Sequence, residues 1–338
     1  MPGPYDLDRE QLAALLDAEP AYRQRQVWHG LYGLARVPSE LTELPSGLRN
    51  RLAAALPPAL SELARLRSKD GTVKWLWALH DGAQVETVLM PYADRATVCV
   101  SSQAGCAMGC QFCATGQGGF RRHLTAGEIL EQVAAARREA APRRVTNVVF
   151  MGMGEPLANY DRVWTAVERL HDDMGLSARH LTLSTVGIVP GIRRLAAEAL
   201  PVNLAVSLHA ANDELRNRLV PIGRRWPLSV LLETCADYIR AKGRRLSFEW
   251  ALIDGVNDTN RDVAELARTA LPLGAHVNLI PLNPTPGYPV RGSSKAAVEA
   301  FAAALVAWGV NATVRRNRGT DIEAACGQLA ARQLSAST

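Results

Sequence analysis

The sequence predicts an α/β protein, built on a sheet of mainly parallel strands with a small helical unit in front, and three features lead there. From Arg95 onward, short apolar runs alternate with amphipathic segments, the pattern of strand–helix units whose right-handed crossovers give either an open doubly wound sheet or a partial or closed barrel. Ahead of them, Arg9 to Leu66 carries periodic Leu and Ala interrupted at Pro20, Pro38, Pro45 and Pro57-Pro58, a pattern of short helices with proline stops. Finally, 338 residues that are 48% hydrophobic and 21% charged can bury a large core, well outside the disordered class.

In chain order, residues 1–70 read as a helical accessory domain. Residues 71–94 read as a hairpin linker, because TVKWLWALHDGAQVETVL alternates apolar and polar residues on either side of the turn signal Asp81-Gly82. Residues 95–338 hold the strand candidates ATVCVS, TNVVFMG, LTLST, VNLAVSLH, LSFEWAL, HVNLIP and ATVRR. Between them lie helices such as Ala126 to Glu139 and Tyr160 to Asp173. In such an arrangement active residues gather at the C-terminal ends of the strands.

Composition narrows the class. The apolar runs stay below the roughly 18 to 20 residues a bilayer span needs, and the start MPGPYDLDREQ has no apolar signal core, so no membrane span and a cytoplasmic location are expected. Six cysteines, three of them between residues 106 and 113, suit metal binding in a reducing compartment better than a disulfide framework. A net charge of +5 and a pI near 9.0 fit a polyanionic partner without requiring one.

Three motifs carry chemistry. In Cys106-Ala-Met-Gly-Cys110-Gln-Phe-Cys113 the thiolates follow the first barrel strand. Three thiolates leave one iron of a four-iron cluster open to the amino and carboxylate groups of S-adenosylmethionine (SAM). Gly152-Met-Gly-Glu155-Pro156 ends the strand TNVVFMG, where a glycine-rich edge leaves carbonyls free to meet an ammonium group. The cluster does not need Cys99 or Cys326; the latter, within RRNRGTDIEAACGQL, has a setting that suits an exposed, nucleophilic thiolate. Cys235, in LLETCADYI, reads as a core residue. Arg121-Arg122 and Arg315-Arg316 with Arg318 are candidates to flank the cleft and hold phosphates.

The cysteine run, with Phe112 before its third cysteine, resembles the signature of the radical SAM superfamily, and the GxGEP string resembles its motif for the methionyl amine. CVSSQAGCAMGCQFCATG, MGMGEPLANY, SLHAANDELR, NLIPLNPTPG and RGTDIEAACGQLA occur in one order. Together they resemble the RlmN/Cfr family of RNA adenine methyltransferases, and AYRQRQVWHGLYG with ELTELPSGLRNRL resembles that family's accessory domain.

The resemblance implies a partial (β/α)6 radical SAM barrel with a small N-terminal helical domain that docks RNA. It implies a 4Fe-4S cluster on Cys106, Cys110 and Cys113, and two SAM molecules per turnover contacted by Gly154, Glu155, Ser184, Ser207, Leu208, His209 and Asn283. Adenine C2 has no lone pair, so direct methyl transfer is unfavourable and a carbon radical is implied instead. Cys326 takes a methyl group from one SAM; a 5'-deoxyadenosyl radical from the second removes a hydrogen from it, and the resulting methylene adds to C2. Glu86 is implied as acceptor of the C2 proton and Cys99 as the thiol that resolves the adduct through a transient disulfide. The implied substrates are 23S rRNA and adenosine 37 of tRNA, with an electron donor such as flavodoxin.

Without the resemblance, Glu86 reads as a solvated strand carboxylate and His209 as a hydrogen-bonded structural residue. Cfr-type methylation at adenine C8 is the nearest rival. A zinc-bound RNA-binding module is the rival from another class, with no role for Cys99 or Cys326.

Overall fold

A computed structural model of the chain describes residues 3–283, 285, 287–288, 290–315 and 318–322. The N-terminal part forms helices Arg9–Leu15, Tyr22–Trp28 and Ser46–Ala55. Asp8 caps the first, its carboxylate accepting from Gln11 N at 2.7 Å while Gln11 Oε1 accepts from Asp8 N at 3.0 Å, a reciprocal capping box.

The helical reading to Leu66 is corrected at its end. Leu60–Arg67 is a strand, β1, antiparallel to β2 (Val73–Leu79), which pairs in turn with β3 (Gln84–Pro91) across the expected turn. The register of β1 shifts between Glu62 and Ala64, and Leu63 is left exposed at this irregularity. A bulge breaks period-2 alternation, so Leu60, Leu63 and Leu66 fall three apart and imitate a helical stripe.

All seven strand runs expected after Arg95 form strands. They are β4 (Ala96–Cys99), β7 (Val145–Phe150), β8 (Leu181–Thr185), β9 (Asn203–Ser207), β10 (Leu246–Leu252), β11 (His276–Pro281) and β12 (Ala312–Val314). The ten-stranded sheet runs β1-β2-β3-β4-β7-β8-β9-β10-β11-β12, parallel from β4 onward. It has two edges and is not closed, yet Cys99 on β4 and Ile280 on β11 line one cavity; the sheet therefore curls into a partial barrel. A separate pair, β5 (Gln103–Gly105) with β6 (Phe120–His123), brackets the cysteine loop.

The crossover helices bury one stripe each. Tyr160–Asp172 buries Val163, Trp164, Ala166, Val167 and Leu170, and Asn260–Ala270 buries Val263, Leu266, Ala267 and Ala270, at about 1.5–3 kcal/mol for a fully buried Leu or Val. Thr125 starts Ala126–Ala140 with a capping box to Glu128. Among the described residues no helix is long and apolar enough to cross a membrane.

Candidate active site

At the C-terminal end of the parallel strands lies a cavity of about 950 Å³. Cys99, Cys106, Cys110 and Cys113 line it, as do Gly154 and Glu155 from the turn after β7. So do Ser184 on β8, Ser207 and His209 at the end of β9, and Asn283 after β11. Leu208 is fully buried beside them, its N–H donating to Glu249 O at 3.0 Å. Cys326 lies outside the described residues.

The cysteine loop is closed at its base: Cys106 N donates to Gly119 O at 2.8 Å, and Cys113 N to Cys110 O at 3.2 Å. A side chain at Gly105, φ 75°, would put its Cβ 2.0 Å from Gly119 O, so only glycine lets β5 and β6 meet here. Burial raises the Cys106 thiol to about 11 and pushes Cys110 upward too. Metal loading at these thiols is accordingly coupled to proton release.

The turn after β7 is equally tight. Gly154 has φ 101°, and a Cβ there would lie 2.5 Å from Gln103 Cβ; one on Gly152 would lie 2.6 Å from Val100 O. Gln103 Oε1 accepts from Glu155 N at 2.8 Å, tying the turn to the base of the cysteine loop. The buried Glu155 carboxylate accepts from Leu157 N at 3.0 Å and Val186 N at 2.8 Å, and burial raises its pKa to about 7.

His209 adopts φ 57° and accepts from Ala251 N at Nδ1, 2.9 Å, so Nε2 carries the proton of the neutral ring. Burial and then Arg216 lower its pKa to about 3. Phe112, from the cysteine run, meets the ring edge-on at 4.8 Å. The imidazole is thus both hydrogen-bonded and cavity-lining.

Three groups absent from the sequence reading bear on this wall: Glu249 and Asn278 line it, and the buried Arg216 holds two of its strand ends. Glu249 on β10 is a buried, cavity-lining carboxylate that accepts from Ser247 Oγ at 2.8 Å and Asn278 Nδ2 at 2.7 Å, and burial raises its pKa. Its signal was a lone acid in the otherwise apolar run LSFEWAL, an expensive residue for a buried strand. The buried Arg216 donates to Ser207 O at 3.0 Å, Leu208 O at 2.5 Å and Val186 O at 2.6 Å, tying two strand ends together.

Glu86 is not solvated. It is buried on the β3 face that also carries Val88 and Met90, one step nearer the strand C-terminal ends, and Lys74 Nζ lies 3.4 Å from its carboxylate. Of the basic candidates, Arg315 and Arg318 line the cavity. Arg122 is committed elsewhere, to Asp81 at 2.6 Å and Glu128 at 2.8 Å. Arg316 lies outside the described residues, and the buried Cys235 packs in the main core.

Comparison with known proteins gives this geometry its family. The model of the radical SAM superfamily matches residues 100–270. A "Probable dual-specificity RNA methyltransferase RlmN" of Roseiflexus castenholzii is 48% identical over 98% of this chain and 96% of its own length. The protein of the same name from Chloroflexus aurantiacus is 50% identical over 97% and 92%. The chain belongs to the RlmN family of the radical SAM superfamily. The crystal structure of a radical SAM methyltransferase from Sphaerobacter thermophilus superposes with a TM-score of 0.93 at 49% identity, over 97% of this chain and 99% of that one.

The donor set fits the cluster that membership in the RlmN family implies. Cys106, Cys110 and Cys113 line the cavity together, three thiols for a cluster that keeps one iron open. Thr115 Oγ1, buried without a partner among the described residues, belongs to a residue of the same wall.

Proposed function

We propose that this chain methylates C2 of an adenosine in 23S rRNA and adenosine 37 of tRNA, with Cys326 as methyl carrier. The observation that carries the reading is the gathering of Cys99 with Cys106, Cys110, Cys113, Glu155, Ser207 and His209 around one cavity. The matched relatives carry "dual-specificity RNA methyltransferase" in their names, which supports RNA as the substrate class.

Cys106, Cys110 and Cys113 would hold a 4Fe-4S cluster, which would supply the electron for cleaving SAM, drawn from a donor such as flavodoxin. Gly154 and Glu155 receive the methionyl end of SAM; Ser184, Ser207, Leu208, His209 and Asn283 receive the remainder, with the neutral His209 offering Nε2–H as a donor. Cys326 accepts a methyl group from one SAM and joins it to the base once a second SAM has been spent. Glu86, its carboxylate beside Lys74, takes the C2 proton. Cys99 attacks the Cys326 sulfur, forming a transient disulfide as the bond from that sulfur to the methylene carbon breaks and the carbon takes up a proton to become the methyl group. Its place on β4, paired with Val88 of β3, sets it two residues along from Glu86.

The test is anaerobic reconstitution followed by incubation with SAM, dithionite and protein-free 23S rRNA, with mass spectrometry of the digested nucleosides. The expected product is 2-methyladenosine that disappears in Cys326→Ala. Finding 8-methyladenosine would turn the base in the site, and no methyladenosine from a protein with an intact cluster would overturn the reading.

A further inference from the structure

Residues 318–322 follow β12 at one edge of the sheet, yet are bound at the other. Arg318 donates to Pro91 O and lies over the Tyr92 ring at 4.4 Å, at the β3–β4 corner. Gly319 N donates to Asp70 Oδ2 at 3.3 Å. The Asp321 carboxylate accepts from Ser68 Oγ at 2.5 Å and Lys69 N at 3.1 Å. Both partners of this carboxylate sit in the turn between β1 and β2.

The turn is stiff by its own bonds. Ser68 N donates to Thr72 O at 2.8 Å and Gly71 N to Ser68 O at 3.0 Å, while Asp70 Oδ1 accepts from Thr72 N at 2.9 Å. Hydrogen bonding holds the Asp70 carboxyl down to about 2, against the opposing effect of burial, and lowers Asp321 as well. A pre-formed receptor of this kind loses little entropy on gripping its ligand.

We propose that the β1–β2 turn is a dock for the segment that carries Cys326, and that Ser68, Asp70 and Asp321 are positioning residues for the methyl-bearing cysteine. The proposal rests on the reading of Cys326 as methyl carrier. Cys326 follows Asp321 by five residues, so even a fully extended chain keeps it within roughly 17 Å of the dock. The dock belongs to the three-stranded meander β1–β2–β3, whose last strand carries Glu86 and pairs with β4 at Cys99.

Removing both carboxylates leaves Arg318, eight residues before Cys326, as the last of the described residues held at this end of the sheet, and the bound set from there widens to roughly 28 Å. The enclosed volume grows about fourfold, a loss of proximity that sets the expected effect. Ser68, Asp70 and Asp321 are absent from the lining of the cavity described above.

The test compares the wild type with the double variant Asp70→Ala/Asp321→Ala and with Ser68→Thr. In cluster-free protein, hydrogen exchange of the peptide spanning Gly319 to Ile322 reads docking. In reconstituted protein, 2-methyladenosine formed per 5'-deoxyadenosine released reads positioning. The double variant is expected to exchange faster and to lose coupling about fourfold or more while cleaving SAM at the wild-type rate; Ser68→Thr, which keeps the hydroxyl, retains both. Unchanged exchange would show that these bonds do not hold the segment, and faster exchange with wild-type coupling would show that holding it does not position the cysteine; either overturns the proposal. A wild type that makes no methyladenosine would remove the functional reading and the proposal with it, an outcome distinct from a coupled wild type with an equally coupled variant.

Discussion

His209 shows how far one residue can be tuned by its surroundings. Its ring is buried, accepts from Ala251 N, and has its pKa lowered from 6.5 to about 3. A depressed folded-state value means that the unfolded chain binds the proton first, so the stability this residue contributes is whole above pH 6.5 and drains away as pH falls toward 3. His209→Asn, a residue that tolerates the left-handed backbone, removes that dependence. Urea unfolding of cluster-free protein at pH 7 and 4.5 is expected to show a larger loss in wild type than in the variant; equal losses would contradict the neutral, buried imidazole. Gly154→Ala is the backbone counterpart. At φ 101° with a Cβ 2.5 Å from Gln103, the backbone conformation alone costs about 1–3 kcal/mol, and the displaced turn is expected to weaken SAM binding, measured by equilibrium dialysis of the reconstituted protein.

At the scale of elements, the hairpin β2–β3 holds its ion pair inside. Lys74 and Glu86 are 0% and 3% exposed, and truncating one member of such a pair typically costs about 3–5 kcal/mol. Lys74→Met is expected to lower the urea midpoint of cluster-free protein by a corresponding amount, and a change below about 1 kcal/mol, the scale of a surface pair, would refute the buried pairing. The same strands show what could be read in advance. Parallel strands covered on both faces are nearly continuous apolar runs, so TNVVFMG and HVNLIP announced themselves, whereas β1 was hidden by its bulge at Leu63. Glu86 looked solvated because nothing in VETVLMP shows that Lys74, two positions before Leu76 on the paired strand, turns to meet it. Arg122 looked available for phosphate because its partner Asp81 is 41 residues away. The cysteine run was legible because its three thiols are local in sequence; the Glu249–Asn278 wall was not, since it is assembled from separate strands.

Over the whole molecule, the helical unit is welded to the barrel. Arg169 donates to Tyr5 O at 2.8 Å, Arg137 to Tyr32 O at 2.9 Å and Trp28 Nε1 to Asp173 at 2.8 Å. One continuous apolar cluster runs from Tyr5 through to Val310. Cluster-free protein is therefore expected to unfold in a single calorimetric transition whose van't Hoff and calorimetric enthalpies agree. Two resolved steps would mean that helical unit and barrel are independent.

The bond between Ser68 and Asp321 joins residues 253 apart in the chain. A ribosome adding roughly 5–20 residues per second exposes Ser68 well before it makes Asp321, and contacts of such separation form after the loop between them has been closed. The Ser68–Asp321 bond can thus close only after every strand of the sheet, β12 included, has been synthesised, and so it fastens the first hairpin to a segment made after the last strand.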